Sequence, residues 1–415
     1  MISTLAVAGY RSLRELHVAL GRLTVVTGAN GAGKSSLYRS LRLLADCARG
    51  GVVSSLAREG GLPSVLWAGP GGSTSGAGGR RRGPVSVRVG YASDGFGYLA
   101  DLGLPSGDPG QSAFTLDPEV KRELVWAGPV LRPAATLLQR HGPAVQVRGD
   151  SGGFEPLVTD LASFESALAV AGDPARTPEV LAVRDQVRSW RFYDTFRTDA
   201  AAPARTVQIG TRTLALADDG SDLAAALQTI AEIGVAGERV VDAGVELLGH
   251  ADDGSDLAAA LQTIAEIGVA EELDACVDDA FPGSRLQVVS EGGRFDLTLH
   301  QPGLLRPLRT AELSDGTLRY LLWVAALLSP RPGELVVCNE PETSLHPDLL
   351  PALARLITRA AARTQVVVVT HDARLADLLD AGAGTTTLRL EKQDGETRVA
   401  GAGLLDAPPW TWGNR

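Results

Sequence analysis

The sequence predicts an α/β fold organised around a parallel sheet, and three observations carry that prediction. A glycine-rich loop, Gly28-Ala-Asn-Gly-Ala-Gly-Lys-Ser35, stands between an apolar run and an amphipathic one. Far downstream, an apolar run over 335–338 ends in Asn339-Glu340, and another over 365–370 ends in His371-Asp372. Buried strands that deliver polar residues at their carboxyl ends are where α/β sheets place ligands.

Taken in order, residues 2–8 and 15–20 read as an antiparallel hairpin turning through Gly9-Tyr-Arg-Ser12. Residues 23–27, Leu-Thr-Val-Val-Thr, are β-branched and apolar, the pattern of a buried strand. The loop that follows fits G-x-x-x-x-G-K-S, and residues 36–45 then place Leu37, Leu41 and Leu44 on one helical face. Glycines let backbone N–H groups fold around a polyphosphate, and a helix N-terminus adds partial positive charge. The candidate phosphate contacts are therefore Asn30, Gly31, Ala32, Gly33, Lys34, Ser35 and Ser36. Lys34 would reach the β and γ oxygens, and the Ser35 hydroxyl would hold a magnesium ion. Only Lys34, Lys121 and Lys392 break an otherwise exclusive use of arginine, so this lysine is not compositional drift.

Composition bounds the rest. A length of 415 residues with 44% hydrophobic content suits two or three domains, or one core with a large insertion. No apolar run approaches the roughly 18 residues that span a bilayer, and no secretory leader is evident. Cys47, Cys276 and Cys338 lack metal-ligand spacing and fit a reducing cytoplasm, the expected location. A formal charge of −10 argues against an overall basic surface. Arg80-Arg81-Arg82, in a Gly/Ser tract, reads as a solvated loop or as a contact to a phosphate backbone.

In a nucleotide hydrolase, the strand end at 339–340 supplies a group that orients the magnesium water and a glutamate that polarises the attacking water. Asn339 and Glu340 hold those positions here. His371, at the next strand end, is placed to contact the γ-phosphate or that water. Between these strands, residues 347–362 carry Leu349, Leu350, Leu353, Leu356 and Ile357, the spacing of the crossover helix a parallel pair needs. Upstream, Leu313-Ser-Asp-Gly-Thr317 opens an apolar helix, and Ser314 and Gly316 form a second anion-binding end.

These elements, in this order, resemble ABC-type ATPases, and more narrowly the AAA-family ATPases related to RecF, SMC and OLD proteins. GANGAGKS is similar to Walker A, LSDGT to the signature, LVVCNEPETSLHP to Walker B with its D-loop, and VVVVTHD to the switch-histidine strand. The resemblance implies a P-loop NTPase of ABC-ATPase head type with a mixed α+β insertion lobe. Residues 1–50 and 305–415 would form the head and 51–304 the lobe. It further implies ATP and magnesium as cofactors and a head-to-tail homodimer sandwiching ATP. Ser314 and Gly316 of one subunit would cap the γ-phosphate held by the other, with Thr343-Ser344-Leu345 near the subunit contact. The N-terminal hairpin would cover the nucleotide, bringing Arg11 or Arg14 towards the base or ribose. Two departures stand out. Asn339 replaces the usual Walker B aspartate, which should weaken metal affinity and slow hydrolysis, with Glu342 a conceivable substitute. No Q-loop glutamine is evident; residues 64–67, Ser-Val-Leu-Trp, occupy that region.

Ser314 lies 280 residues beyond Lys34, far more than in a transporter subunit, and no sustained heptads encode SMC-like arms. Residues 85–89 and 98–102 read as strands extending the first sheet, and 179–189 as a helix after Pro178. Trp190-Arg-Phe-Tyr-Asp-Thr-Phe-Arg197 suits either core packing or stacking on nucleic acid. Residues 385–390 and 397–400 suggest a closing hairpin, and Trp410 and Trp412 should pack on the core. The 44 residues after His371 cannot hold the toprim nuclease domain of OLD proteins, so nuclease activity is not expected. The functional expectation is ATP-gated clamping in DNA maintenance, with no membrane involvement. The alternatives are an ATP-responsive module of a defence system acting with a separate effector, and a weakly hydrolysing nucleotide switch.

The segment 217–236 recurs without change at 251–270, a displacement of 34 residues. Identity without drift indicates a recent in-frame duplication, and the tetratricopeptide pattern is missing. Each copy should form a helix with its leucines and isoleucine on one face, only one copy filling the original packing site. Deleting 217–250 should therefore leave a cooperatively folded protein, read by a thermal melt. Loss of folding would show that the duplication is integral.

Overall fold

The computed structural model describes residues 1–69, 86–105, 113–149, 151–194, 196–233, 272–382, 384–403 and 406–413. Arg80-Arg81-Arg82 and the second copy of the repeat lie outside the described residues. The chain divides into two units: Met1–Trp190 with Val367–His371 and Ala383–Arg415, and Arg191–Val366 with Asp372–Gly382.

The first unit is built on antiparallel pairing. Strands β1 (Ile2–Tyr10) and β2 (Leu13–Ala19) form the expected hairpin, with Tyr10 opposite Leu13 across a two-residue turn. Arg11 takes φ 51 in that turn, the positive value that tight hairpins require. After β3 (Leu23–Gly28) come β4 (Ser86–Ser93), β5 (Phe96–Gly103), β6 (Glu119–Ala127), β7 (Thr136–His141), β8 (Ala144–Arg148) and β9 (Phe154–Val158). All but β3 join one eight-stranded sheet in the order β2-β1-β4-β5-β6-β7-β8-β9. The expected strands at 85–89 and 98–102 thus extend the hairpin, through β1 against β4.

This sheet buries a charge pair. Glu123 and Arg140, both fully buried, approach to 3.1 Å. The carboxylate also accepts from Tyr98 Oη, Ser166 Oγ and the Ala167 N–H, each at 2.6 Å. Arg140 donates to the carbonyls of Gly142, Ala162 and Glu165. A buried ion pair is tolerated only when its remaining lone pairs and protons are satisfied, as they are here. Burial, with Cys47 and Glu123 beside it, pushes the Tyr98 phenol well above its ordinary pKa, so it acts as a neutral donor. The C-terminal tryptophans cover the same sheet: Trp410 and Trp412 pack on Ala92, Leu99, Leu124 and Trp126. Trp410 lies so close to Gly90 that a β-carbon there would fall 2.7 Å from the indole ring.

The second unit opens with β10 (Arg191–Tyr193) and holds a small antiparallel group: β11 (Gln208–Ile209), β12 (Arg285–Glu291), β13 (Arg294–His300) and β14 (Leu308–Arg309). Strand β15 (Leu335–Asn339) runs parallel to β10, with Tyr193 opposite Cys338. The helix Asp315–Leu327 is apolar almost all round and buried from Leu318 onward, the composition of a core helix. Helix Leu350–Arg363 buries Leu350, Leu353, Leu356 and Ile357, as a crossover helix should. In the first repeat copy, a helix over 223–233 buries Leu223, Leu227 and Ile230, so this copy occupies a packing site. The aromatic segment after Trp190 is core: Trp190, Phe192, Tyr193 and Phe196 are all buried. That excludes the alternative of stacking on nucleic acid through these rings.

Strand β16 (Gln365–Val369) carries the chain back into the first unit, where β17 (Thr385–Gln393) and β18 (Glu396–Val399) form the expected closing hairpin. β17 runs parallel to β3, from Thr385 opposite Leu23 to Leu390 opposite Gly28. All three cysteines are free and buried, and burial raises the Cys47 and Cys338 thiols far above their ordinary range. Among the described residues, no helix is long and apolar enough to cross a membrane.

Candidate functional site

In the first unit the phosphate loop runs from β3 into the helix Lys34–Arg49. That helix has Gly33 at its N-cap and no side chain capping it. Its first N–H groups are therefore available to an anion, with the helix dipole behind them. Asn30, Gly31 and Ser35 are exposed, while Ala32, Lys34 and Ser36 are buried. Lys34 folds back over the loop and donates from Nζ to the carbonyls of Gly28 at 2.6 Å and Ala29 at 3.3 Å. A buried ammonium needs oxygen partners, and here the loop's own backbone supplies them.

Two glycines answer to geometry. Gly28 takes φ 148, and a β-carbon there would fall 2.3 Å from the Leu390 carbonyl oxygen. Gly33 takes φ 109, and a β-carbon there would fall 2.1 Å from Thr397 Oγ1. Thr397 on β18 is the buttress behind this loop. Its hydroxyl donates to the Ala32 carbonyl at 2.8 Å and meets Ser12 Oγ at 2.8 Å, and its N–H donates to the Ser12 carbonyl. Sequence reading places nothing on Thr397, because its contacts span most of the chain.

His371 follows β16 in the same unit and is exposed. The Thr370 N–H donates to the Val26 carbonyl at 3.0 Å, so the strand end carrying His371 lies beside the strand that feeds the phosphate loop. Arg11, proposed for the base or ribose, is held by Glu59, which also accepts from Tyr10 Oη at 2.8 Å. Arg14 is exposed and lies 3.9 Å from Glu396.

The remaining candidates lie in the second unit. Ser314 is the N-cap of the helix Asp315–Leu327, its Oγ accepting from the Thr317 N–H at 3.1 Å. Gly316 faces the segment 343–345: a β-carbon there would fall 3.1 Å from the Ser344 carbonyl oxygen. Arg205 clamps this turn, donating to Asp315 Oδ1 at 2.6 Å and to the Leu313 carbonyl at 2.7 Å. Like Thr397, it carries no local sequence signal. At the end of β15, Glu340 takes φ 49 and Ser344 takes φ 63. Left-handed backbone at a non-glycine residue costs about 1–3 kcal/mol and collects at functional turns. Asn339 donates from Nδ2 to Asp194 Oδ1 at 2.5 Å, while its own Oδ1 is buried without a hydrogen-bond partner.

The profile of the family described as "AAA domain, putative AbiEii toxin, Type IV TA system" matches residues 23–129 and 160–377. Its gap spans β7 to β9, the outer strands of the large sheet. No curated protein matches the sequence. Among solved structures, the SmcHead bound to the C-winged helix domain of ScpA has a TM-score of 0.50 at 13% identity, covering 98% of this chain and 99% of that one. The Smc head domain with an extended coiled coil bound to the C-terminal domain of ScpA, from Pyrococcus furiosus, has a TM-score of 0.49 at 13% identity, over 98% and 97%. The SMC head domain from Thermotoga maritima has 0.42 at 12%, over 97% and 99%. The likeness to the first of these is one of fold: a P-loop NTPase head.

Gly33→Ala should disturb both the left-handed N-cap and the Thr397 buttress. A loss of about 1–3 kcal/mol in denaturant stability is expected from the backbone term alone, together with weaker ATP binding. Unchanged stability would show that the loop is not held as described.

Proposed function

The chain belongs to this AAA-domain family, and from that premise we propose that it is a magnesium-dependent ATPase whose subunits associate around bound ATP. The observation that carries the reading is the phosphate loop: an uncapped helix end, left-handed glycines, and a buried ammonium resting on backbone oxygens. In this reading the backbone of Asn30 to Ser36 wraps the phosphates. Lys34 exchanges its carbonyl partners for β and γ oxygens. Ser314 and Gly316 of a second copy cap the γ-phosphate, a task suited to the N-terminus of a dipole-bearing helix.

Magnesium, when bound, would supply positive charge to offset the negative charge of the phosphates during transfer. The Ser35 hydroxyl and the side chain of Asn339 would hold it. The orphaned amide oxygen of Asn339 suits this, since magnesium takes oxygen ligands and keeps several waters. Glu340 orients the attacking water and accepts its proton; His371 steadies the γ-phosphate. The neutral Asn339 implies slower turnover than an aspartate would support.

The cellular role follows from family likeness rather than from chemistry. DNA maintenance of the RecF or SMC kind is one reading. The family description, with its toxin and Type IV TA system, favours the second: an ATP-responsive module of a defence system acting with a separate effector.

The test is phosphate release by wild type and Glu340→Gln, with and without duplex DNA, across a salt series. Glu340→Gln should turn over at least about 100-fold slower, the usual cost of a lost general base, and should accumulate an ATP-dependent dimer in size-exclusion chromatography. Equal release would show that Glu340 is not the base. Salt-sensitive stimulation by DNA supports the first role, and indifference to DNA supports the second.

A further inference from the structure

The end of β15 departs from the pattern its family resemblance implies, and the neighbouring strand holds what is missing. β10 and β15 run parallel with Tyr193 opposite Cys338, so the next residues, Asp194 and Asn339, emerge side by side. Asn339 Nδ2 lies 2.5 Å from Asp194 Oδ1. An ionised carboxylate can only accept, which requires the amide nitrogen to face Asp194. The amide oxygen is thereby turned the other way, and that oxygen is buried and accepts nothing within the protein. Asp194 itself is exposed. The pair presents one negative charge and one unused acceptor oxygen at the strand end that, in the reading above, faces magnesium.

We propose that Asp194 supplies the negative charge absent from Asn339, so that an Asp194–Asn339 couple orders the water shell of the nucleotide-bound magnesium. Asp194 is then a positioning residue: it locks the amide of Asn339 with its oxygen turned away from the carboxylate and adds the charge through that hydrogen bond. Partners of this kind behind a metal's ligands are worth about 10- to 100-fold in metal affinity. The inference rests on the ATP-binding reading and adds to it a residue 145 positions upstream of Asn339. A purely structural role, tying the ends of two strands together, would need no particular sign of charge.

The experiment separates these. Manganese, a paramagnetic stand-in for magnesium, is titrated into the full chain with a β,γ-imido ATP analogue, and free Mn²⁺ is read by electron paramagnetic resonance. The analogue's affinity is measured separately in EDTA. Asp194→Asn keeps shape and hydrogen bonding but removes the charge, and should weaken Mn²⁺ binding about tenfold or more. In EDTA the same variant should bind the analogue as tightly as wild type or tighter, because a carboxylate repels phosphate. The exchange Asp194→Asn with Asn339→Asp restores one charge in the same pair and should return Mn²⁺ affinity to near wild type. Unchanged Mn²⁺ affinity in Asp194→Asn, or equal losses with and without metal, would overturn the inference while leaving ATP binding intact. Failure of wild type to bind the analogue under any condition would overturn the parent reading, and this one with it.

Discussion

A buried ammonium must be met by oxygen, and the arrangement around Lys34 follows from that requirement. Its helix begins without a side-chain cap, so the end of the helix dipole is directed at the loop rather than neutralised. The lysine fills the space by bonding to the Gly28 and Ala29 carbonyls. Gly28 and Gly33, which flank this loop, adopt positive φ at close approaches that a β-carbon would block. Strand β17 and Thr397 then hold the outer side of the loop. In the proposed reading, a triphosphate would displace the two backbone bonds that hold Lys34.

Another helix N-terminus, capped by Ser314 and clamped by Arg205, packs beside the turn that leaves β15. Two residues of that turn, Glu340 and Ser344, hold left-handed backbone. This strained turn lies next to a helix end and follows a strand end with a buried, unpartnered amide oxygen, the place where the proposed reading puts magnesium and the attacking water. The exposed Thr343 and Ser344 leave this turn available to a partner surface.

Much of this was legible because each motif carries its own local signal. The β-branched runs before Gly28 and before His371, the 3.6-residue spacing of the crossover helix, and the terminal hairpin were all read from short windows. The eight-stranded sheet was legible only at β1, β2, β4 and β5. Its outer strands mix charges into their sequences, and in β6 the charged Glu123 is a core residue paired with Arg140 across the sheet. Such a strand loses the alternation by which strands are recognised. The small sheet of β11 to β14 escaped for a similar reason, being short and largely exposed. At the site itself, Thr397, Arg205 and Asp194 were missed because each acts across more than a hundred residues of sequence, where a single chain offers no periodicity to read.

The most direct test of the proposed phosphate loop is calorimetric titration of ATP into wild type and Lys34→Ala. Removing one charge-assisted bonding partner should weaken binding by about 10- to 100-fold, against saturable binding in wild type. No binding by wild type, or equal affinity in the variant, would contradict the account.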